Sequence, residues 1–334
     1  MRLSALYTAL FLPVAAFAQT DTQINAGIVD QIVEGHILPG FATFESSTVP
    51  LAAAQCDAMT APYQDSFDAW MGVSHLRFGP SEQEERAFAL AFWPDTRGAT
   101  PSTLNALLAE DTPIAEMDFS EVSIAARGFF ALDWLLYDPQ APQMVVGARA
   151  CDLAEAIADD INRIAVDLNA AWQDEAALLS NPGAGGNYSY LTYDESLRTL
   201  YGSLINGLDV TAEQRLGRPM GTVERPRPIR AEARRSERSQ RNVVLSIAAL
   251  SDLADPFAEF AHDGGDERLR AQFAAALRGA ERLPDPTFSD TDTVQGRFRV
   301  ESVQSRLNSI RDMLGLLVAP ALSISQSFNA LDGD

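Results

Sequence analysis

The chain contains no lysine; all 25 of its basic residues are arginine. That excludes a lysine Schiff base and a lysine general base. Histidine is nearly as scarce, with three in 334 residues: His36, His75 and His262. Cysteine occurs twice, at Cys56 and Cys151. No H-E-x-x-H is present, so a zincin-type site is not indicated. Neither G-x-S-x-G nor a Cys–His nucleophile pair can be traced. Without a dinucleotide fingerprint or a phosphate-cradling glycine loop, no nucleotide cofactor is expected. What remains is carboxylates, a few imidazoles and many guanidiniums. That inventory suits ion or ligand binding better than covalent catalysis, so enzymatic activity is not the expectation.

The longest mainly apolar stretch lies within the first 18 residues. Arg2 supplies a positive start, Leu3 to Ala15 an apolar stretch, and Ala16-Phe17-Ala18 a small-residue cleavage site. Residues 1–18 therefore read as a signal peptide, with periplasmic export of a chain starting at Gln19. No later run is long enough to span a membrane. The formal charge is −21, and losing Arg2 makes it −22. Such a charge argues against nucleic acid or an anionic membrane as partner. In an oxidising compartment the two cysteines are expected to pair. That bridge closes a loop of about 95 residues, worth on the order of 4 kcal/mol in the chain-entropy picture.

Apolar residues recur at helical spacing almost throughout, and no long stretch alternates with period two. Helices are expected over about 24–53 (interrupted at Pro39), 62–78, 82–92, 102–110 with Ser102 as cap, 120–137, 142–179, 193–208, 232–253, 266–282 and 295–330. The glycine-rich Asn181–Gly186 stretch reads as a boundary or loop. The fold expected is all-α, with two packed helical bundles, residues 19–180 and 187–334, and a cleft between them. The first and last helices are free to pack across that boundary.

Asp133 is the one carboxylate in an otherwise apolar run, Gly128 to Tyr137. A buried unpaired carboxylate costs several kcal/mol, so it must be neutralised, paired, metal-bound or at a cavity mouth. Arg127 is six residues away, beyond the helical pairing distance, so a partner from elsewhere is expected. Asp65, Asp68, Gly72 and His75 form a polar stripe at spacings of three, four and three. Nine arginines fall between Arg215 and Arg241. They read either as a solvated face paired to acidic neighbours or as a segment that docks against Asp133 and lines the cleft. Ser236 and Ser239 lie three apart on that segment.

Several blocks jointly resemble the imelysin-like family of exported bacterial proteins. They are Val33 to Phe41, Asp68-Ala69-Trp70 through Phe78-Gly79-Pro80, Phe92 to Gly98, Gly128 to Leu136, and Leu216-Gly217-Arg218-Pro219. The family's hallmark is G-x-H-x-x-E, proposed as a metal or active site. Here Gly128 matches the glycine, Phe130 fills the histidine slot and Asp133 replaces the glutamate. The resemblance implies a helical two-domain fold with a cleft, a peptidase by name, and a link to iron uptake by regulation. The reading that follows is a non-catalytic periplasmic binding protein serving iron or another metal. Its metal ligands are expected among Asp133, His75, His36, Asp68 and Asp95. Arg97, Arg127, Gly128, Phe130, Glu232, Ser236 and Ser239 would line the surrounding cleft. The alternatives are a metallopeptidase, which the missing histidine argues against, and a protein that docks another exported protein through the arginine-rich segment.

Overall fold

In the computed structural model, which describes residues 14–324 with side chains from residue 22 onward, the chain is helical and no strand occurs among the described residues. The expected leader lies mostly outside them, as does the expected helix beyond residue 324. Helix α1 (Val14–Ile32) continues through a π-helical turn, Val33–Ile37, into α2 (Leu38–Ala52). Pro39 therefore does not end the helix: it follows directly on the π-helical turn, an irregularity at which a residue without an N–H is accommodated. After α3 (Thr60–Val73) comes a stretch of short 3₁₀ turns and the single turn α4 (Arg86–Leu90). Helix α5 (Ala99–Ala109) and α6 (Gly128–Tyr137) are short, whereas α7 (Arg149–Ser180) runs for 32 residues.

The second half begins with α8 (Tyr193–Asp209), capped by the Thr192 hydroxyl, which accepts from the Glu195 N–H. Another π-helical stretch, Val210–Gly217, leads into the short α9 (Arg218–Met220). Helices α10 (Ser239–Ala258), α11 (Gly265–Glu281) and α12 (Val294–Met313) complete the fold.

Long α7 shows why these segments are helices. Its buried residues Leu153, Ile157, Ile161, Ile164, Leu168 and Trp172 recur at three and four, one apolar stripe on an otherwise acidic helix. That stripe packs against α2 and α6, with Trp172 stacked on Phe41 at 4.8 Å between ring centroids. In the second half α11 packs on both α10 and α12. One continuous core joins the two halves, through contacts of α3 with α10 and of α1 with α7, α8 and α10. The expected disulfide is present: Cys56, just after α2, is bonded to Cys151 in the first turn of α7.

Several expected helices are shorter than their periodicity suggests. The segment expected at 82–92 keeps only α4, because Glu84 and Glu85 adopt left-handed backbone. The helix expected from residue 120 begins only at Gly128, where φ of +70° breaks any helix arriving from upstream. The helix expected from Glu232 starts only at Ser239. Residues 231–238 form an irregular turn instead, with Ala233 and Glu237 at φ of +45° and +57°. Left-handed conformations of such residues cost roughly 1–2 kcal/mol each and mark a turn held by its surroundings.

A candidate ligand cleft above a buried carboxylate

The surroundings that hold this turn are the Asp133 carboxylate. Asp133 is fully buried on α6. Its Oδ1 accepts from the Ser236 hydroxyl at 2.5 Å, the Ser236 backbone N–H at 3.2 Å and the Tyr63 hydroxyl at 3.3 Å. The left-handed turn is what directs both Ser236 donors at one oxygen. Asp133 Oδ2 has no hydrogen-bond partner, and Arg235 Nη1 lies 3.8 Å from it. Arg235 donates mainly to Asp138, at the end of α6. Burial pushes the Asp133 carboxyl up; the Ser236 hydroxyl and the Arg235 guanidinium pull it back only in part. The partner of Asp133 is thus a serine, a tyrosine and a distant arginine.

The adjacent Arg127 serves another acid. It makes a buried bidentate pair with Asp160 of α7, at 2.8 and 3.0 Å. Gly128 is the backbone joint that lets both side chains reach their partners. A Cβ there would lie 2.2 Å from the Ala89 carbonyl oxygen and 2.3 Å from that of Leu90.

No three of the residues expected as metal ligands converge on one point among the described residues. Asp68 is bound by Arg238 Nη2 at 2.6 Å and by Arg241. Burial alone would raise its carboxyl, but those two guanidiniums hold it below the usual range. Asp95 accepts from the backbone N–H groups of Arg97, Ala99 and Thr100, and so caps α5 in place of Ser102. Among the described residues one group of three donor side chains converges closely enough for an ion: Cys56, Cys151 and Glu155. Its two sulfurs are bonded to each other. Among the described residues, then, a bare cation has no set of three donors that includes Asp133. The motif's imidazole position is filled by the buried ring of Phe130.

His36 and His75 do meet, Nε2 to Nε2 at 3.0 Å, in a pair where one imidazole donates and the other accepts. His75 lies in the turn after α3 rather than on the helix. Burial lowers His36 to about 4. Burial, His36 and Arg215 lower His75 well below its ordinary 6.5. Between pH 6.5 and about 4 the unfolded chain therefore binds more protons than the native one, and stability falls on acidification through that window. The expected slope is up to about 1.4 kcal/mol per pH unit for each imidazole. Denaturation of the parent and of His36→Gln/His75→Gln at about pH 7 and about pH 4.5 measures it. Equal losses in the two proteins would show that the pair does not titrate in this way.

Of the residues expected to line the cleft, Phe130 does so. Arg97 is exposed and outside it. Arg127 and Gly128 are structural, as just described. Glu232 pairs with Arg215 at 2.8 Å and accepts from Asn242, while Ser239 donates to the Glu232 carbonyl. Ser236 faces Asp133. The cleft itself, about 350 Å³, opens between the 92–101 segment and the arginine-rich segment. Its aromatic floor is Trp93, whose ring runs parallel to Phe130 with centroids 6.5 Å apart. Arg218 lies over Trp93 at 5.8 Å. Arg230, Arg234 and Arg235 form the facing wall. The Thr100 hydroxyl oxygen, on a lining residue, is buried without a partner. Trp93 and Arg218 lay within segments that the sequence marked, but their meeting across about 125 residues left no local signal.

These features define an all-helical protein whose two halves share one core and enclose a cleft at their junction. The chain belongs to the imelysin (peptidase M75) family, which it matches over residues 41–314. Its fold is similar to that of an imelysin-like protein from Psychrobacter arcticum, with a TM-score of 0.72 at 16% identity over 92% of this chain and 98% of the other. It is also similar to a protein described as a putative iron-regulated protein A precursor from Parabacteroides distasonis, with a TM-score of 0.67 at 11% identity over 91% and 95% of the two chains. No curated protein matches the chain.

Proposed function

We propose that this chain is a non-catalytic, exported binding protein that works in an iron-linked process and takes an anionic ligand in the cleft above Asp133. The observation that carries this reading is a charge imbalance. In a chain of net charge −21, the cleft gathers Arg218, Arg230 and Arg234. Among the described residues none of the three has a carboxylate oxygen within 4.0 Å. Gathering like charges beside each other without counter-ions is unfavourable unless a ligand supplies the anion. The aromatic floor offers apolar contact area, and the guanidiniums offer planar forks suited to carboxylates or phosphates.

A resident metal ion fits this site poorly. The free Asp133 oxygen faces an arginine, and no imidazole accompanies it. The metallopeptidase reading needs three protein ligands and an open position, and among the described residues no such set includes Asp133 or either histidine. The docking reading has one observation in its favour: Val223 and Ile229 are 73% and 69% exposed beside Arg225, Arg227 and Arg230. That patch borders the cleft, so a docked partner and a cleft ligand would compete.

Thermal melts of the mature protein with citrate, phosphate, sulfate, and bare ferrous and zinc salts test the proposal. A cleft ligand at a hundred times its Kd should stabilise by about 2.7 kcal/mol, a rise of several degrees. The expected result is stabilisation by at least one anion, lost in Arg218→Gln/Arg234→Gln, and no stabilisation by the metals alone. If no anion shifts the melt, or if metals alone do so through Asp133, the proposal fails.

A further inference from the structure

We infer that the cleft and the loop beside it, residues 221–230, form one docking surface for an extended segment of a partner protein that carries both carboxylates and apolar side chains. This rests on the anion-cleft reading and goes beyond it by naming the ligand class.

The loop is held in a fixed shape. Thr222 and Arg225 exchange backbone hydrogen bonds at 3.3 and 3.1 Å, which puts Val223 and Glu224 at the tip of a tight turn. The Arg227 N–H donates to the Pro219 carbonyl at 2.9 Å, and Arg297 donates to the Met220 carbonyl at 2.8 Å, so both limbs are tied down. Pro226 and Pro228 stiffen the return limb. A loop ordered in advance loses little freedom when a partner arrives.

Its exposed side chains are of two kinds. The first is arginine. Desolvation, and then the neighbouring Arg230, lowers the Arg218 guanidinium in the cleft. Desolvation, Arg225 and Arg230 do the same to Arg227 on the loop. These four cations therefore form a line from the aromatic floor outward, and none of them makes an ion pair among the described residues. The second kind is apolar: Val223 and Ile229 are 73% and 69% exposed, and Ile229 also lines the cleft. Single exposed apolar residues are ordinary. Here they alternate with uncompensated charge along one rigid loop.

That alternation selects among anions. A small anion would fill the cleft and leave Arg225, Arg227 and Val223 unused. A polyanionic glycan or nucleic acid would satisfy the arginines but offer Val223 and Ile229 nothing apolar. An anionic bilayer would have to receive Glu224 together with Val223, since the two share the tip. An acidic and apolar peptide answers every group, with carboxylates on the guanidinium forks and apolar side chains on Val223 and Ile229.

The test is fluorescence anisotropy of the mature protein at about 0.15 M salt, where distant charges are screened. The probes are a labelled peptide of mixed Glu, Leu and Ser, a labelled oligoglutamate of equal length, and unlabelled citrate as competitor. The mixed peptide should bind at least tenfold tighter than oligoglutamate, and citrate should displace it. Val223→Ser should weaken the mixed peptide at least fivefold and leave oligoglutamate unchanged. Arg225→Gln/Arg227→Gln should weaken both peptides at least tenfold. All three positions lie outside the cleft lining, so the stabilisation by citrate should persist in both variants. Equal binding of the two peptides, unaltered binding by the variants, or a peptide that citrate does not displace would overturn the inference. So would co-sedimentation with phosphatidylglycerol vesicles that Val223→Ser abolishes, which would assign the loop to a lipid surface. Stabilisation by citrate with no peptide binding would overturn this inference alone and leave the anion cleft standing. Absence of binding by every anion would overturn both.

Discussion

Gly128→Ala is expected to abolish cooperative folding. The glycine's φ of +70° already costs an alanine roughly 1–2 kcal/mol. The greater cost is steric: the new Cβ would sit 2.2 and 2.3 Å from two backbone carbonyl oxygens of α4. Backbone cannot swing aside as a flexible side chain would, so α6 must move as a body. That movement would break the Arg127–Asp160 pair on one side and the Asp133 contacts on the other. The combined loss should exceed about 4 kcal/mol, a large share of the roughly 5–15 kcal/mol that holds a domain together. Urea denaturation followed by circular dichroism measures it. A cooperative transition within about 1 kcal/mol of the parent would show that the joint is softer than the geometry implies. The glycine of the family motif thus has a structural role that survives the loss of the motif's histidine.

Asp133→Ala should be the next most damaging change, while Asp133→Asn should be mild. Alanine leaves the Ser236 N–H buried without an acceptor, at about 1–3 kcal/mol, and leaves the Tyr63 hydroxyl only the long contact to the Ser236 Oγ at 3.4 Å. It also frees the left-handed turn at Ala233 and Glu237 from the oxygen that holds it. A total near ~3 kcal/mol, or a melting point lower by roughly 6–12 °C, is expected. Asparagine keeps an oxygen for those donors and removes the buried charge, so its loss should stay within about 1 kcal/mol. The pH dependence separates the two roles. Because the native Asp133 carboxyl is raised above its ordinary 3.8, the native state holds the proton longer, and its share of stability declines as pH rises above that value. The asparagine variant should lack that decline. If alanine and asparagine cost the same, the hydrogen bonds to Oδ1 do not carry the turn.

The all-α architecture was legible because α7, α8 and α11 keep an apolar stripe over many turns, and because two cysteines in a chain expected to be exported leave one pairing. Asp133 was legible by its isolation among apolar residues. Its partner was half legible: the arginine-rich segment stood out, but EARRSER reads as a helix by propensity. Only the capture of Asp133 by the Ser236 backbone, across 103 residues, turns that segment into a left-handed bend. Arg127 misled for the same reason, since its acid lies 33 residues on, in α7. Asp95 and Asp68 looked like free ligands because composition cannot tell a spare carboxylate from one used as a helix cap or shared between two arginines. Metal shells, unlike helices, depend on convergence in space, which residue spacing along separate helices does not encode.

The Cys56–Cys151 bond has a bearing on how the protein survives proteolysis. Between its two ends lie Asp95, Trp93, Phe130 and Asp133, one whole wall of the cleft and the acid beneath it. The same interval contains the exposed stretches 109–113 and 145–147, which are open to proteases. A cut at either would split the chain yet release nothing, since both fragments stay covalently joined and seated in the common core. Nicked molecules should therefore run as two pieces only after reduction, and before reduction they should keep their ligand wall intact.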